Sequence, residues 1–115
     1  MTGDYVIEKA IELLGYDNKA RYQIKSLSAL NSIYSDLYYL NAEEGFKPLS
    51  TTGEEINLPE KTINDVMPYG VASMIALSMG DSDNQQIFAQ LYNLKRKRIA
   101  TKGTIEDVLP TIEEA

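Results

Sequence analysis

The sequence predicts an all-α fold: a small bundle of about four main helices, with a long middle loop and an extended C-terminal tail. Two observations carry that expectation. Apolar residues recur at three- and four-residue spacing from Tyr5 to Tyr38 and again from Leu58 to Ile99, the period of a helix with one buried face. Glycine, proline and capping residues punctuate the ends of those stretches. At 115 residues the chain is one domain, with a single modest core and no substantial sheet.

The first helix is expected over residues 4 to 15. Asp4 can cap it; Tyr5, Val6, Ile7, Ala10, Ile11, Leu13 and Leu14 make a wide apolar face; Glu8, Lys9 and Glu12 lie opposite, and Gly15 supplies a left-handed stop. Glu8 and Glu12 share a face at a spacing of four, where paired carboxylates could hold a metal or move a proton. No further ligand accompanies them, so a solvated acidic face is the reading taken.

A longer helix is expected over residues 18 to 41, on Ile24, Leu27, Leu30, Ile33, Tyr34, Leu37 and Tyr38. Tyr34, Tyr38 and Tyr39 cluster on its second half. Aromatic platforms for nucleic acid interleave with Arg or Lys, and this half carries only Asp36 as a charge, so core packing or a protein contact is favoured. Periodicity then stops. From 42 to 61, Gly45, Pro48, Gly53 and Pro59 read as an acidic loop that faces solvent or a partner, although Phe46, Leu49, Ile56 and Leu58 could pin it to the core.

Thr62 and Asp65 resemble a capping box for a short helix over Ile63 to Met67. Met67, placed before Pro68, should be a kink or break, so residues 59 or 62 to 80 are either one helix bent at Pro68 or two abutting helices; the part from Pro68 to Met79 is apolar on nearly every side, and Gly80 ends it. Its small residues Gly70, Ala72, Ser73 and Ala76 invite close approach of another helix. Ser82 and Gln85 form a second capping-box pattern; Ile87, Phe88, Leu91, Tyr92 and Leu94 form the stripe of a helix to Ile99, antiparallel to the one before it. Its end carries Lys95, Arg96, Lys97 and Arg98, where the helix dipole favours cations. The chain should turn at Gly103, leaving residues 1 to 103 as the domain and 104 to 115 as a tail. That tail mixes Ile105, Val108, Leu109 and Ile112 with four acids, which suits docking on this subunit or a neighbour. The predicted core is Ile11, Leu14, Leu27, Leu30, Tyr34, Leu37, Val71, Met74, Ile75, Phe88 and Leu91.

Composition narrows the function. A formal charge of −6 disfavours nucleic acid as a general partner. The chain has no cysteine and no histidine, which removes disulfides, thiol chemistry, the commonest zinc ligand and every Ser-His or Cys-His nucleophile. With no secretory apolar region at the start, intracellular synthesis is the expectation, and the longest apolar helix falls short of the roughly 20 residues a bilayer needs. No phosphate-binding glycine loop, zinc spacing or nucleophile motif is present, so no catalytic residue, cofactor or metal is assigned and an enzyme is not expected.

Leu58-Pro59, then Val66-Met67-Pro68-Tyr69-Gly70-Val71-Ala72, then Gly80-Asp81, then Ile87-Phe88 through Leu91-Tyr92 resembles a segment of small phage head-tail connector (adaptor) proteins. In many of these a leucine-proline pair, a spacer and leucine-proline-tyrosine-glycine-x-alanine lead to a glycine-aspartate turn and a helix carrying phenylalanine and tyrosine. The likeness covers about a third of the chain. Pro68, Tyr69, Gly70, Ala72, Gly80, Asp81, Phe88 and Tyr92 are the residues that carry it.

The resemblance implies a structural protein that forms a ring on the portal of a tailed phage capsid and joins it to the next head-tail or tail component. The protein would belong to the virion, or to the bacterial cytoplasm when made from a prophage. Phe46, Leu49, Ile56, Ile105, Val108, Leu109 and Ile112 are the contacts expected in that role. The isolated protein would be compatible with a monomer, since a portal template raises effective concentration. The cluster Lys95 to Arg98 departs from the family pattern and could face a DNA channel, although its place near a helix end favours the dipole explanation. The alternative from another class is a small helical DNA-associated regulator using residues 95 to 102, which strongly salt-sensitive duplex binding would reveal.

Overall fold

The computed structural model describes residues 1–17, 26–40 and 45–108, and of residues 100–108 the backbone course only. Five helices are described: α1 Gly3–Leu14, α2 Ser26–Leu40, α3 Glu60–Asp65, α4 Met67–Ser78 and α5 Ser82–Val108. The fold is an all-α bundle, and among the described residues the only β pairing is an isolated bridge between Thr2 and Glu55. Residues 18–25 and 41 of the expected second helix lie outside the described residues, as do 42–44 of the loop and Leu109 and Ile112 of the tail.

Helix α4 is the central element, packed against α1, α2, α3 and α5. Its sequence explains that place. Pro68, Gly70, Val71, Ala72, Ser73, Ile75 and Ala76 are all buried, so the helix has apolar or small residues on every side that meets a neighbour. The burial is not complete, because Leu77 is 62% exposed and Met79 43%, both near the end of the helix. Ser73 satisfies its hydroxyl within the helix by donating to Gly70 O at 2.7 Å. Every residue of the predicted core is buried or half-buried.

Local signals place the helix ends, with corrections. Gly15 and Gly80 both take a φ of 73° and end their helices as expected. The cap of α1 is Thr2, whose Oγ1 accepts from Tyr5 N at 3.3 Å, and not Asp4, which lies one residue inside. The cap of α5 is Asp81, not Ser82: Asp81 accepts from Asn84 N at 3.4 Å and from Asn84 Nδ2 at 2.8 Å. Helix α3 starts at Glu60 with Pro59 before it, so Thr62 is a buried helical residue and no cap. The chain breaks at Val66, one residue ahead of the expected Met67, because Pro68 lacks the N–H and crowds the carbonyl one turn back.

Two further expectations fail. Gly103 does not turn the chain; α5 runs through it to Val108, since an interior glycine costs only about 1 kcal/mol and no second terminator stands beside it. The basic cluster therefore sits inside a helix of 27 residues, not at its end, and the dipole explanation for it lapses.

The apolar residues of the middle loop pin it to the core, as expected of Phe46, Leu49, Ile56 and Leu58. Leu49 is 7% exposed and Ile56 5%. Asn31 of α2 clamps Leu49 by both backbone groups, donating Nδ2 to Leu49 O at 3.0 Å and accepting from Leu49 N at 2.8 Å. The start of the chain pairs with the loop, through Gly3 N to Glu54 O at 3.1 Å and Asp4 N to Thr52 O at 2.7 Å. A Cβ at Gly3 would lie 2.7 Å from Thr52 O and 2.5 Å from Leu30 Cδ2, so glycine is what permits this approach.

Candidate functional site

The eight residues that carry the family resemblance all fall on the α4–α5 hairpin, where Gly80 and Asp81 form the turn and the other six pack. At Gly70 the two helices nearly touch: a Cβ on that residue would lie 2.8 Å from two carbons of the Tyr92 ring and 2.9 Å from Ile33 Cδ1 of α2. Ala72 and Pro68 are buried in the same helix. Tyr69 stacks at a tilt on Phe88, with centroids 6.2 Å apart. Gly80 and Asp81 make the turn, where Asp81 N donates to Ala76 O at 2.9 Å and Asp81 O accepts from Gln85 N at 2.9 Å.

Two polar latches hold the hairpin to the other helices. Tyr16, just after α1, donates its hydroxyl to Asp81 Oδ2 at 2.6 Å. Burial, then the adjoining carboxylate, pushes the Tyr16 phenol up to about 12, while the bonds from Tyr16 and Asn84 hold the Asp81 carboxyl below its ordinary range. The second latch joins α5 to α2. Tyr92 OH donates to Asp36 Oδ2 at 2.6 Å, and Arg96 grips the same carboxylate by Nε at 2.6 Å and Nη2 at 2.9 Å. The Arg96 guanidinium, followed by the Tyr92 hydroxyl, outweighs partial desolvation and lowers the Asp36 carboxyl, and Arg96 is raised in turn. Burial and the negative Asp36 raise Tyr92 well above the ordinary phenol range.

The basic cluster is thereby divided. Arg96 is bound to Asp36, and the Lys95 ammonium lies 4.5 Å over the Tyr69 ring. Lys97 and Arg98 are exposed. The tyrosine cluster of α2 also turns largely inward. Tyr34 and Tyr38 are buried, Phe46 packs edge-on against them at 5.1 and 5.4 Å, and the Tyr34 hydroxyl accepts from Asn57 N at 2.9 Å. Tyr39, at 58% exposure, is the member left on the surface.

The predicted contact residues therefore separate into three groups. Leu49 and Ile56 are in the core, and Phe46 is half-buried beneath the tyrosines. Ile105 and Val108 lie on the backbone of the last turns of α5, whereas Leu109 and Ile112 fall outside the described residues. Sequence reasoning missed the exposed apolar residues of the hairpin: Leu77, Met79, Ile87 and Leu94 are 43 to 62% exposed. It also missed the Asp36–Arg96 pair. Asp36 stood as a lone charge between buried tyrosines, and that isolation was the available signal.

Glu8 and Glu12 are exposed on α1, and among the described residues no three acidic side chains converge to hold a metal ion. No described helix is long and apolar enough to cross a membrane. In comparisons with protein-family models, curated proteins and solved structures, the chain matches none.

Proposed function

We propose that the chain is a structural adaptor of a phage or prophage head-tail junction, which assembles on the portal and offers its outer surface to the next component of the tail. One observation carries the reading. The spacing of Pro68, Tyr69, Gly70, Ala72, Gly80, Asp81, Phe88 and Tyr92 is the spacing of a packed hairpin, in which Gly70 admits Tyr92 and Tyr69 meets Phe88. The likeness to connector proteins thus rests on residues that shape the scaffold. A protein that works by assembly needs such a rigid frame and apolar surface to offer, and the hairpin carries both.

The contact elements of this adaptor are the exposed side of the hairpin and the segment from Ile105 onward. The buried Leu49 and Ile56 are not among them. Duplex binding is the weaker reading, since Lys95 and Arg96 are engaged within the bundle. Removing residues 104 to 115 should preserve the helical circular dichroism yet abolish co-sedimentation with portal particles. Equal co-sedimentation of the truncated and full chains would remove the tail from the contact.

A further inference from the structure

The outward side of α5 carries a stripe that the bundle leaves uncovered. Asp83, Ile87, Leu91, Leu94 and Arg98 succeed one another at spacings of three or four residues, so they lie along one side of the helix. Ile87 is 52% exposed and Leu94 55%; Leu91 between them is half-buried. Phe88 and Tyr92, one step round the helix, face inward and are buried.

From Asn84 to Leu94 there is no charged residue, although 24% of the chain is charged. The exposed polar positions there are the amides Gln86, Gln90 and Asn93. Depletion of charge around exposed apolar residues is the composition of an interface centre. The charges come at the two ends of the stripe and are opposite in sign: Asp83 at the start, Arg98 at the finish, both exposed.

We propose that this stripe is the contact through which two copies of the chain pair, α5 against α5, antiparallel about a two-fold axis near Leu91. In that register Ile87 of each copy meets the partner's Leu94, Leu91 meets its own counterpart, and Asp83 faces the partner's Arg98 at both ends. Charge decides the occupant and its direction. Reversal of one copy brings unlike charges together twice, whereas a parallel pair would set Asp83 against Asp83 and Arg98 against Arg98. The exposed amides face one another and repel nothing.

Such a contact is isologous and closes on itself, so it is a state of the free chain and distinct from a ring. It stands whether or not the protein joins a head to a tail. With only about four turns of one helix in contact, the pair is a concentration-dependent equilibrium and not a permanent dimer.

The full chain offers a clean test because it has no cysteine of its own. Leu91→Cys should cross-link to itself through a short bis-thiol reagent, and Ile87→Cys mixed with Leu94→Cys should give the mixed product. In sedimentation equilibrium Arg98→Glu should lower the association constant about tenfold, and Asp83→Lys combined with Arg98→Glu should restore it, with circular dichroism unchanged throughout. The proposal is overturned if the chain remains a monomer up to about 1 mM, if a Leu77→Cys reporter cross-links while Leu91→Cys does not, or if the double charge swap folds but fails to restore pairing.

Discussion

Substituting Gly70 by alanine tests the close approach on which the hairpin depends. In an open helix position the change would stabilise the protein by up to about 1 kcal/mol, because alanine loses less backbone freedom on folding. Here the added Cβ would lie 2.8 Å from Tyr92 Cδ1 and Cε1 and 2.9 Å from Ile33 Cδ1, against the roughly 3.5 to 4.0 Å at which carbons pack. The Ile33 methyl ends a flexible side chain and can turn away. The Tyr92 ring is 7% exposed and its hydroxyl is held by Asp36 at 2.6 Å, so it has no free space to move into.

Either the helices separate or Tyr92 gives up its bond. Overpacking costs about 1 to 3 kcal/mol, and after a propensity gain of about 1 kcal/mol is offset the net loss should be up to about 2 kcal/mol. That lowers the melting temperature by up to roughly 8 °C in a domain near this size. Calorimetry measures it, and in a Tyr92→Phe background, where the ring is released from Asp36, Gly70→Ala should cost less. A melting temperature that rises on Gly70→Ala would instead place the glycine in open space.

Two other substitutions probe the polar contacts. Asn31→Ala removes both bonds to Leu49 and leaves a half-buried backbone pair unsatisfied, so the cost should be about 1 to 3 kcal/mol, with amide exchange accelerated at Leu49 first; unchanged exchange there would mean the loop is held by its apolar side chains alone. Asp36→Asn tests the latch through pH. The folded state holds the Asp36 carboxyl below its ordinary value, so the stability it contributes is present above the ordinary aspartate range and is lost as pH falls through the folded value. The gap between the two proteins in urea unfolding should therefore close in acid; a gap independent of pH would contradict the ion pair.

The helices, their glycine stops and the core were legible in the sequence because each rests on local spacing. Gly15 and Gly80 needed only their own backbone freedom to be read, and Phe88 only its distance from Leu91 and Tyr92. The caps were displaced by a residue or more because neighbours compete: Thr2 and Asp4, or Asp81 and Ser82, can each cap, and only the residue at which the backbone enters the helix decides between them.

What could not be read from spacing was tertiary. Leu49 is buried because Asn31, 18 positions away, clamps its backbone. Arg96 looked like one member of a basic run until Asp36, 60 positions away, took its guanidinium. By spacing the apolar residues of α5 form one stripe, yet Phe88 and Tyr92 face the bundle while Ile87 and Leu94 face out. The pattern spans more of the helix than one neighbour can cover.

The proposed adaptor role requires the chain to bind a portal. Co-sedimentation of the full chain with particles built from the portal protein of the same genome, carried out at high salt, measures that binding. The protein should pellet with the particles, with little loss as salt rises, because the proposed contacts are mainly apolar. A chain that stays in the supernatant with its own portal, yet binds duplex DNA in a strongly salt-sensitive way, would contradict it.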